Sequence, residues 1–281
     1  MGTLKAALFA VLALAMIHAV PGCGDADQAQ AGSEEQTAAP EYGSLQFVAN
    51  GEDFVRDGFV SSDGWSITFR HLYVTISDLT AYQTDPPYDP HSREEIAGEV
   101  TVELEGVHTV DLVPGEGGIE TALVGFLENV PVGHYNAMSW TMVPAADGPS
   151  RGYSIYLDAQ AEKGDQSYNV MLGFEDIYHY LAGEYVGDVR KGFVEPGETG
   201  ELEMTFHLDH LFGDNGLPVD SELNLMAMGF GPFTSLMQEG TVEEDLRSLE
   251  SKLSQSDYEK LLAILLTLGH TGEGHCSCVV R

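Results

Sequence analysis

The sequence predicts a mainly β fold, an antiparallel sandwich of the immunoglobulin or transthyretin kind with a small helical appendage at the C-terminal end. Three observations carry that expectation. Apolar residues recur at every second position from Tyr42 to His210, clusters of Gly, Pro and Asp separate the alternating runs, and after His210 the period changes to a helical one.

Residues 1–22 have the form of a signal peptide. One cation, Lys5, precedes an apolar run from Ala6 to Ala19 that is too short to cross a bilayer comfortably. The run ends at Val20-Pro21-Gly22-Cys23, which resembles the bacterial lipobox, with Pro21 departing from the usual pattern. That resemblance implies lipidation of Cys23 and an anchor in the membrane by lipid only; an ordinary signal cut nearby would leave Cys23 incidental. From Gly24 to Glu41 large apolar side chains are almost absent, and residues 23–42 read as a disordered tether.

The rest divides into a β domain at 43–212 and a tail at 213–281. The clearest strands carry Leu45, Phe47 and Ala49; Trp65, Ile67 and Phe69; Leu72, Val74 and Ile76; and Val100, Val102 and Leu104. Later ones carry Met138, Trp140 and Met142; Tyr153, Ile155 and Leu157; Tyr168, Val170, Leu172 and Phe174; and Leu202, Met204 and Phe206, giving roughly seven to nine in all. Between Phe69 and Leu72 the alternation slips phase across Arg70-His71, as a β-bulge or a break requires. In the strand ending at Phe206 the even residues point inward, so Glu201, Glu203, Thr205 and His207 are expected to face solvent. In the tail, Thr241 with Glu244 and Ser256 with Glu259 read as capping boxes ahead of two Leu-faced helices, Gly269 as the helix stop, and Pro232 as the start of a helical turn.

Charge narrows the function. The chain carries −33, and removal of residues 1–22 takes away Lys5 and no acid, leaving 45 Asp plus Glu against 11 Lys plus Arg, or −34. Such a surface repels phosphate backbones, so nucleic acid is not an expected partner; the charge suits cations or serves solubility alone. Three cysteines in an exported chain do not make a disulfide scaffold.

Two constellations carry metal-ligand chemistry. His207-Leu208-Asp209-His210 places two imidazoles and a carboxylate within one turn at a strand end, either as ligands or as polar groups bonding loop backbone. His270, Glu273, His275, Cys276 and Cys278 bring imidazole and thiol together on a Gly-rich loop, either as a site for zinc or copper or as a mobile tail. Should the tail fold back on the sheet, the two segments close one site from His207, Asp209, His210, His270, His275, Cys276 and Cys278, with His71 and His179 as further donors. Asp209, Asp214, Asn215, Gly216 and Asp220 lack the regular order of a calcium loop, which leaves calcium as the lesser alternative.

No enzyme is expected. Gly148-Pro149-Ser150-Arg151-Gly152 matches G-x-S-x-G, but a strand pattern rather than a helix follows it, which marks a hairpin turn. His-Glu-x-x-His, the phosphate-binding glycine-lysine loop and the dinucleotide glycine fingerprint do not occur in the sequence.

Val107-His108-Thr109-Val110-Asp111-Leu112-Val113, then Val130-Pro131-Val132-Gly133-His134-Tyr135, resemble bacterial envelope β-sandwich lipoproteins of largely unknown function. With Tyr73-Val74-Thr75-Ile76-Ser77-Asp78 the chain is similar in style to the periplasmic copper-associated partner protein of methanobactin operons. The resemblance implies a sandwich and an envelope location, periplasm-facing or on the surface, at the outer membrane. The residues themselves point to a zinc or copper protein for storage, sensing or delivery, with an envelope metal transporter or metalloenzyme as partner. The alternative is a binding module for carbohydrate or protein ligands using Trp65, Tyr82, Tyr88, Tyr178 and Tyr180, and a purely structural envelope role is a third.

Overall fold

A computed structural model describes residues 41–113, 120–187 and 191–281. The signal peptide, Cys23 and nearly all of the tether lie outside them. In chain order the strands are β1 (Tyr42–Asn50), β2 (Phe59–Val60), β3 (Ser66–Gln83), β4 (Val100–Asp111), β5 (Ala122–Pro131), β6 (Gly133–His134), β7 (Ala137–Met142) and β8 (Ile155–Lys163). They continue as β9 (Gln166–Phe174), β10 (Tyr178–Ala182), β11 (Phe193–Val194), β12 (Thr199–Phe206), β13 (Thr241–Asp245), β14 (Gly269–His270) and β15 (Cys276–Val280). Helices are α1 (Glu52–Asp57), α2 (Asp209–Phe212), α3 (Glu222–Met226), α4 (Gly231–Thr234), α5 (Leu246–Lys252) and α6 (Gln255–Leu265). The fold is mainly β, in several open sheets.

Four strands form one sheet in the order β14-β12-β1-β5. In it β1 runs parallel to β12, with Ser44 opposite Thr199 and Asn50 opposite Thr205, and antiparallel to β5. Its Leu45, Phe47 and Ala49 are fully buried. A nine-stranded sheet has the path β13-β9-β8-β3-β7-β10-β15, with β2 and β4 also paired to β3. Here β3 is the spine, long enough to take β8 along its first half and β7 along its second.

The register of β3 against β8 shifts between Phe69 and His71, so the phase slip is a bulge and not a break, and Ile67, Phe69, Leu72, Val74 and Ile76 all reach the core. A second shift at Ser77/Leu79, where Asp78 has φ 50, returns the inward set to odd positions at Leu79 and Ala81. The two runs read as separate strands on either side of Arg70-His71 are therefore one. Residues 148–151 turn as expected, with the Arg151 amide donating to the Gly148 carbonyl at 3.3 Å. They do not make a hairpin, because β7 and β8 flank β3 instead of pairing with each other.

The tail differs most from expectation. Thr241–Asp245 is a strand, parallel to β9, with Val242 fully buried. β-Branched Thr241 and Val242 at a free sheet edge outweigh the local capping pattern. Glu244, expected as a cap partner, is buried on Lys252 Nζ at 2.6 Å, and the capping box is formed by Asp245 with Ser248. The second helix starts two residues earlier than predicted, at Ser254 with Asp257, whereas α4 does carry Pro232 in its first turn.

Gly269 is not the helix stop, since α6 ends at Leu265. It lies in β14 against the stacked rings of Trp140 and Tyr180, whose centroids are 4.9 Å apart; a Cβ at Gly269 would meet Tyr180 at 2.8 Å. Nor is 270–278 a free loop: β14 closes the edge of β12 and β15 the edge of β10. Trp65, Tyr178 and Tyr180 are buried, which removes three of the five aromatics expected of a glycan-binding face. Among the described residues no helix is long and apolar enough to cross a membrane.

Gly269→Val should lower the unfolding free energy by about 1–3 kcal/mol through overpacking on this aromatic pair, as read from urea titrations. A variant as stable as the parent would show that the contact is slack.

Candidate metal centre

The site grows from the end of β12. Beyond the pairs Thr205 with His270 and Phe206 with Gly269, the His207 amide donates to the Leu268 carbonyl at 2.9 Å, so the strand pairing continues into the turn. The chain then enters α2, where the His210 amide donates to Asp209 Oδ1 at 3.1 Å. This single turn sets His210 beside His207, with ring centroids 5.2 Å apart and nearly parallel. From the other segment β14 brings His270, its ring 4.6 Å from that of His207 and 5.3 Å from that of His210. Three imidazoles from two distant stretches therefore meet. Ligand atoms of His207, Asp209 and His210 all lie within 4.8 Å of one another.

His207 does not face solvent as expected. It is 7 % exposed, with Glu203 at 4 % and Thr205 at 1 % on the same side of β12. That side is covered by polar partners. Lys191 pairs with Glu201 and with Glu203 at 2.7 Å, Asn50 Nδ2 donates to Glu203 Oε1 at 3.0 Å, and the Gly272 amide donates to Thr205 Oγ1 at 3.0 Å. Alternation correctly identified a polar face, but a polar face can be buried when every group on it is paired.

Each ring has a partner of the kind that orients metal-binding histidines. His207 Nδ1 lies 3.1 Å from Glu52 Oε2 and 3.9 Å from Asp209 Oδ1, and its Nε2 faces the Gly272 carbonyl at 3.3 Å. His210 Nδ1 lies 3.1 Å from Thr267 Oγ1. His270 faces two carbonyls, Gly274 through Nδ1 at 3.2 Å and Thr267 through Nε2 at 2.9 Å. A neutral ring can donate to only one of them, so the other nitrogen's lone pair is opposed to an oxygen until the ring turns toward a cation.

Glu52 was not visible as a site residue in the sequence. It opens α1 at φ 58, a left-handed conformation costing about 1–2 kcal/mol in a residue with a side chain. Its amide donates to Asn50 Oδ1 at 2.8 Å, and Arg56 donates to the same oxygen at 2.8 Å. The turn is thereby held with the carboxylate aimed at His207.

Burial alone would depress the His207 pKa, but the Glu52 hydrogen bond and charge, with Asp209 and the Gly272 carbonyl, raise it above the ordinary 6.5. The same hydrogen bond lowers Glu52, against its burial. Burial lowers His210, assisted by His207 and opposed by Asp209, and it raises Asp209 against both histidines. His270 falls to about 4 through burial and then the charges of His207 and His210. At neutral pH His210 and His270 are therefore neutral and able to ligate.

The remaining predicted donors lie nearby but apart. A cavity of about 500 Å³ is lined by His210, His270, His275 and Cys276, with Glu222 and Met226 at its wall. Cys278 lines a neighbouring cavity instead. His71 faces Asp111 at 2.6 Å and His179 faces Thr141 at 3.0 Å, so each has a partner outside the cluster. Comparison of the chain with protein-family models, curated proteins and solved structures finds no match to any of them.

The raised His207 pKa means that its pairing with Glu52 stabilises the fold fully below the ordinary 6.5 and is lost as pH rises through the folded value. The lowered Glu52 pKa means that its share is present above 4.5 and lost as pH falls through its folded value. Glu52→Gln should move the His207 titration, followed by its ring proton resonances, to lower pH and cost about 1–3 kcal/mol near pH 6. An unmoved titration would show that the carboxylate does not set the charge of His207.

Proposed function

We propose that the protein is an exported, lipid-anchored metal-binding protein that holds a zinc or copper ion for storage, sensing or delivery in the cell envelope. The observation that carries this reading is the arrival of His270, on β14, beside His207 and His210. Three imidazoles with a carboxylate suit a borderline divalent cation such as zinc or copper, whereas calcium and magnesium take all-oxygen sites. His207, Asp209 and His210, whose ligand atoms already converge, are the proposed ligands, with His270 joining them once its ring turns from the Gly274 and Thr267 carbonyls and with Glu52 and Thr267 orienting the rings. We read the four- and nine-stranded sheets as the layers of an immunoglobulin- or transthyretin-like sandwich. The signal peptide, lipidation at Cys23 and an outer-membrane location belong to the same proposal, supported by the sequence of residues 1–23 and the acidic surface. An envelope metal transporter or metalloenzyme is the partner that such a carrier requires.

The test is elemental analysis of the full chain carrying Cys23→Ser, loaded with zinc or copper(II) and desalted, beside the His207→Ala, His210→Ala, His270→Ala triple variant. Near-stoichiometric metal in the first and under about a tenth of that in the second is expected, because loss of three ligands removes the site. Equal metal in both, with the variant folded by circular dichroism, overturns the assignment.

Protons should compete with the ion mainly at His207, since His210 and His270 are already neutral at pH 7. Calorimetry in buffers of different ionisation enthalpy should find no more than about one proton released per ion near neutral pH, and affinity falling as pH is lowered. Release of about three would show that all three rings start protonated.

A further inference from the structure

The histidine cluster leaves two thiols unused. Cys276 and Cys278 are free, half-buried and at alternate positions of β15, so both point to one side of the strand, opposite Ala182 and Tyr180 of β10. They line a cavity of about 350 Å³ together with His91, which sits in the short 3₁₀ turn Pro90–Ser92, and with Thr267 and Leu266 of the segment after α6. The ring of His91 lies 5.2 Å from that of His275, which itself lines the larger cavity beside the histidine cluster. No carboxylate lines this cavity, and Arg93 is at its wall.

We propose that Cys276 and Cys278 form a second metal site, one for a soft monovalent cation of the copper(I) class. The donor set is the opposite of the histidine cluster's, thiol in place of carboxylate, and thiols select copper(I). The cationic Arg93 opposes a hard divalent ion more than a monovalent one.

Spacing points the same way. Residues two apart on a strand are ~6.7 Å apart at Cα, at the outer limit for a disulfide, whose sulfurs must close to ~2.05 Å. A metal bridging two sulfurs through bonds of ~2.3 Å needs them only ~4.5 Å apart, a looser demand than the ~2.05 Å of a disulfide. Oxidation is therefore disfavoured and bridging by an ion is not. On binding, each thiol gives its proton to solvent as its sulfur–metal bond forms, and no electron is transferred.

Cys276 also lines the larger cavity that reaches His210 and His270. The thiol pair thus lies beside the histidine cluster without sharing a ligand with it. The inference does not depend on the cluster holding metal.

The test uses silver(I), a redox-inert soft monovalent ion, on the reduced full chain with Cys23→Ser, so that the two thiols of β15 are the only ones. One ion per chain is expected, with both thiols shielded from maleimide. Cys276→Ser or Cys278→Ser alone should weaken binding on the order of 100-fold, since the second thiol acts at high effective concentration. His207→Ala with His210→Ala should leave silver binding unchanged, which separates this site from the cluster. X-ray absorption of the silver-loaded parent, which needs no substituted fold, should count two sulfur neighbours per ion. Two ions per chain at independent thiols, one sulfur neighbour, or single-serine variants within about threefold of the parent would each overturn the site.

Discussion

The segment from Gly269 to Val280 pairs with the edge of both large sheets, and the site exists because of that. β14 extends the four-stranded sheet past β12, and β15 extends the nine-stranded sheet past β10. Between the two strands the chain turns at Thr271 to Gly274, where Glu273 and Val186 exchange backbone bonds with their neighbours at 2.7 and 3.1 Å. Gly272 makes the turn possible: at φ 58 it lies so near Val186 that a Cβ would sit 2.1 Å from that carbonyl. Its amide satisfies Thr205 and its carbonyl faces His207. A single backbone crossing thus covers the polar side of β12 and delivers His270.

What lies under that crossing is electrically uneven. Glu203 is neutralised by Lys191, and Glu52 is matched to His207, so the buried charges occur in pairs. His210 and His270 have no such cation-favouring partner of equal weight, and burial leaves them uncharged. The cluster therefore combines one ring that holds a proton well with two that do not. In a chain of −33 the surrounding potential favours cations near this point, while the local pairing keeps protons from occupying all three rings.

The mainly β class, the buried residues of β1, β3, β7, β9 and β12 and the phase slip at Arg70-His71 were legible because alternation is a local signal, whereas β5 was not read as a strand. So were His207, Asp209 and His210, which lie within four residues. Tertiary context hid the rest. Thr241–Asp245 carries a capping pattern, yet a vacant edge of β9 turns it into a strand. His207 was assigned to solvent because period two separates faces but does not say what covers them. Glu52 and His91 sit in short turns far from the other donors in sequence, with no motif to mark them. His270, His275, Cys276 and Cys278 were recognised as donors, but their division between two cavities follows from two strands joining different sheets, which spacing along the chain does not encode.

The parallel pairing of β1 with β12 and the late arrival of β14 give the fold a strongly non-local wiring. Such pairings close slowly, because long loops must be ordered before any contact repays them. A chain folded only through α2 would offer His207 and His210 without their third ring, and without the Gly272 turn that covers them. On the proposed reading, tight loading would discriminate finished molecules from partly folded ones, and metal content would record how many molecules have completed maturation.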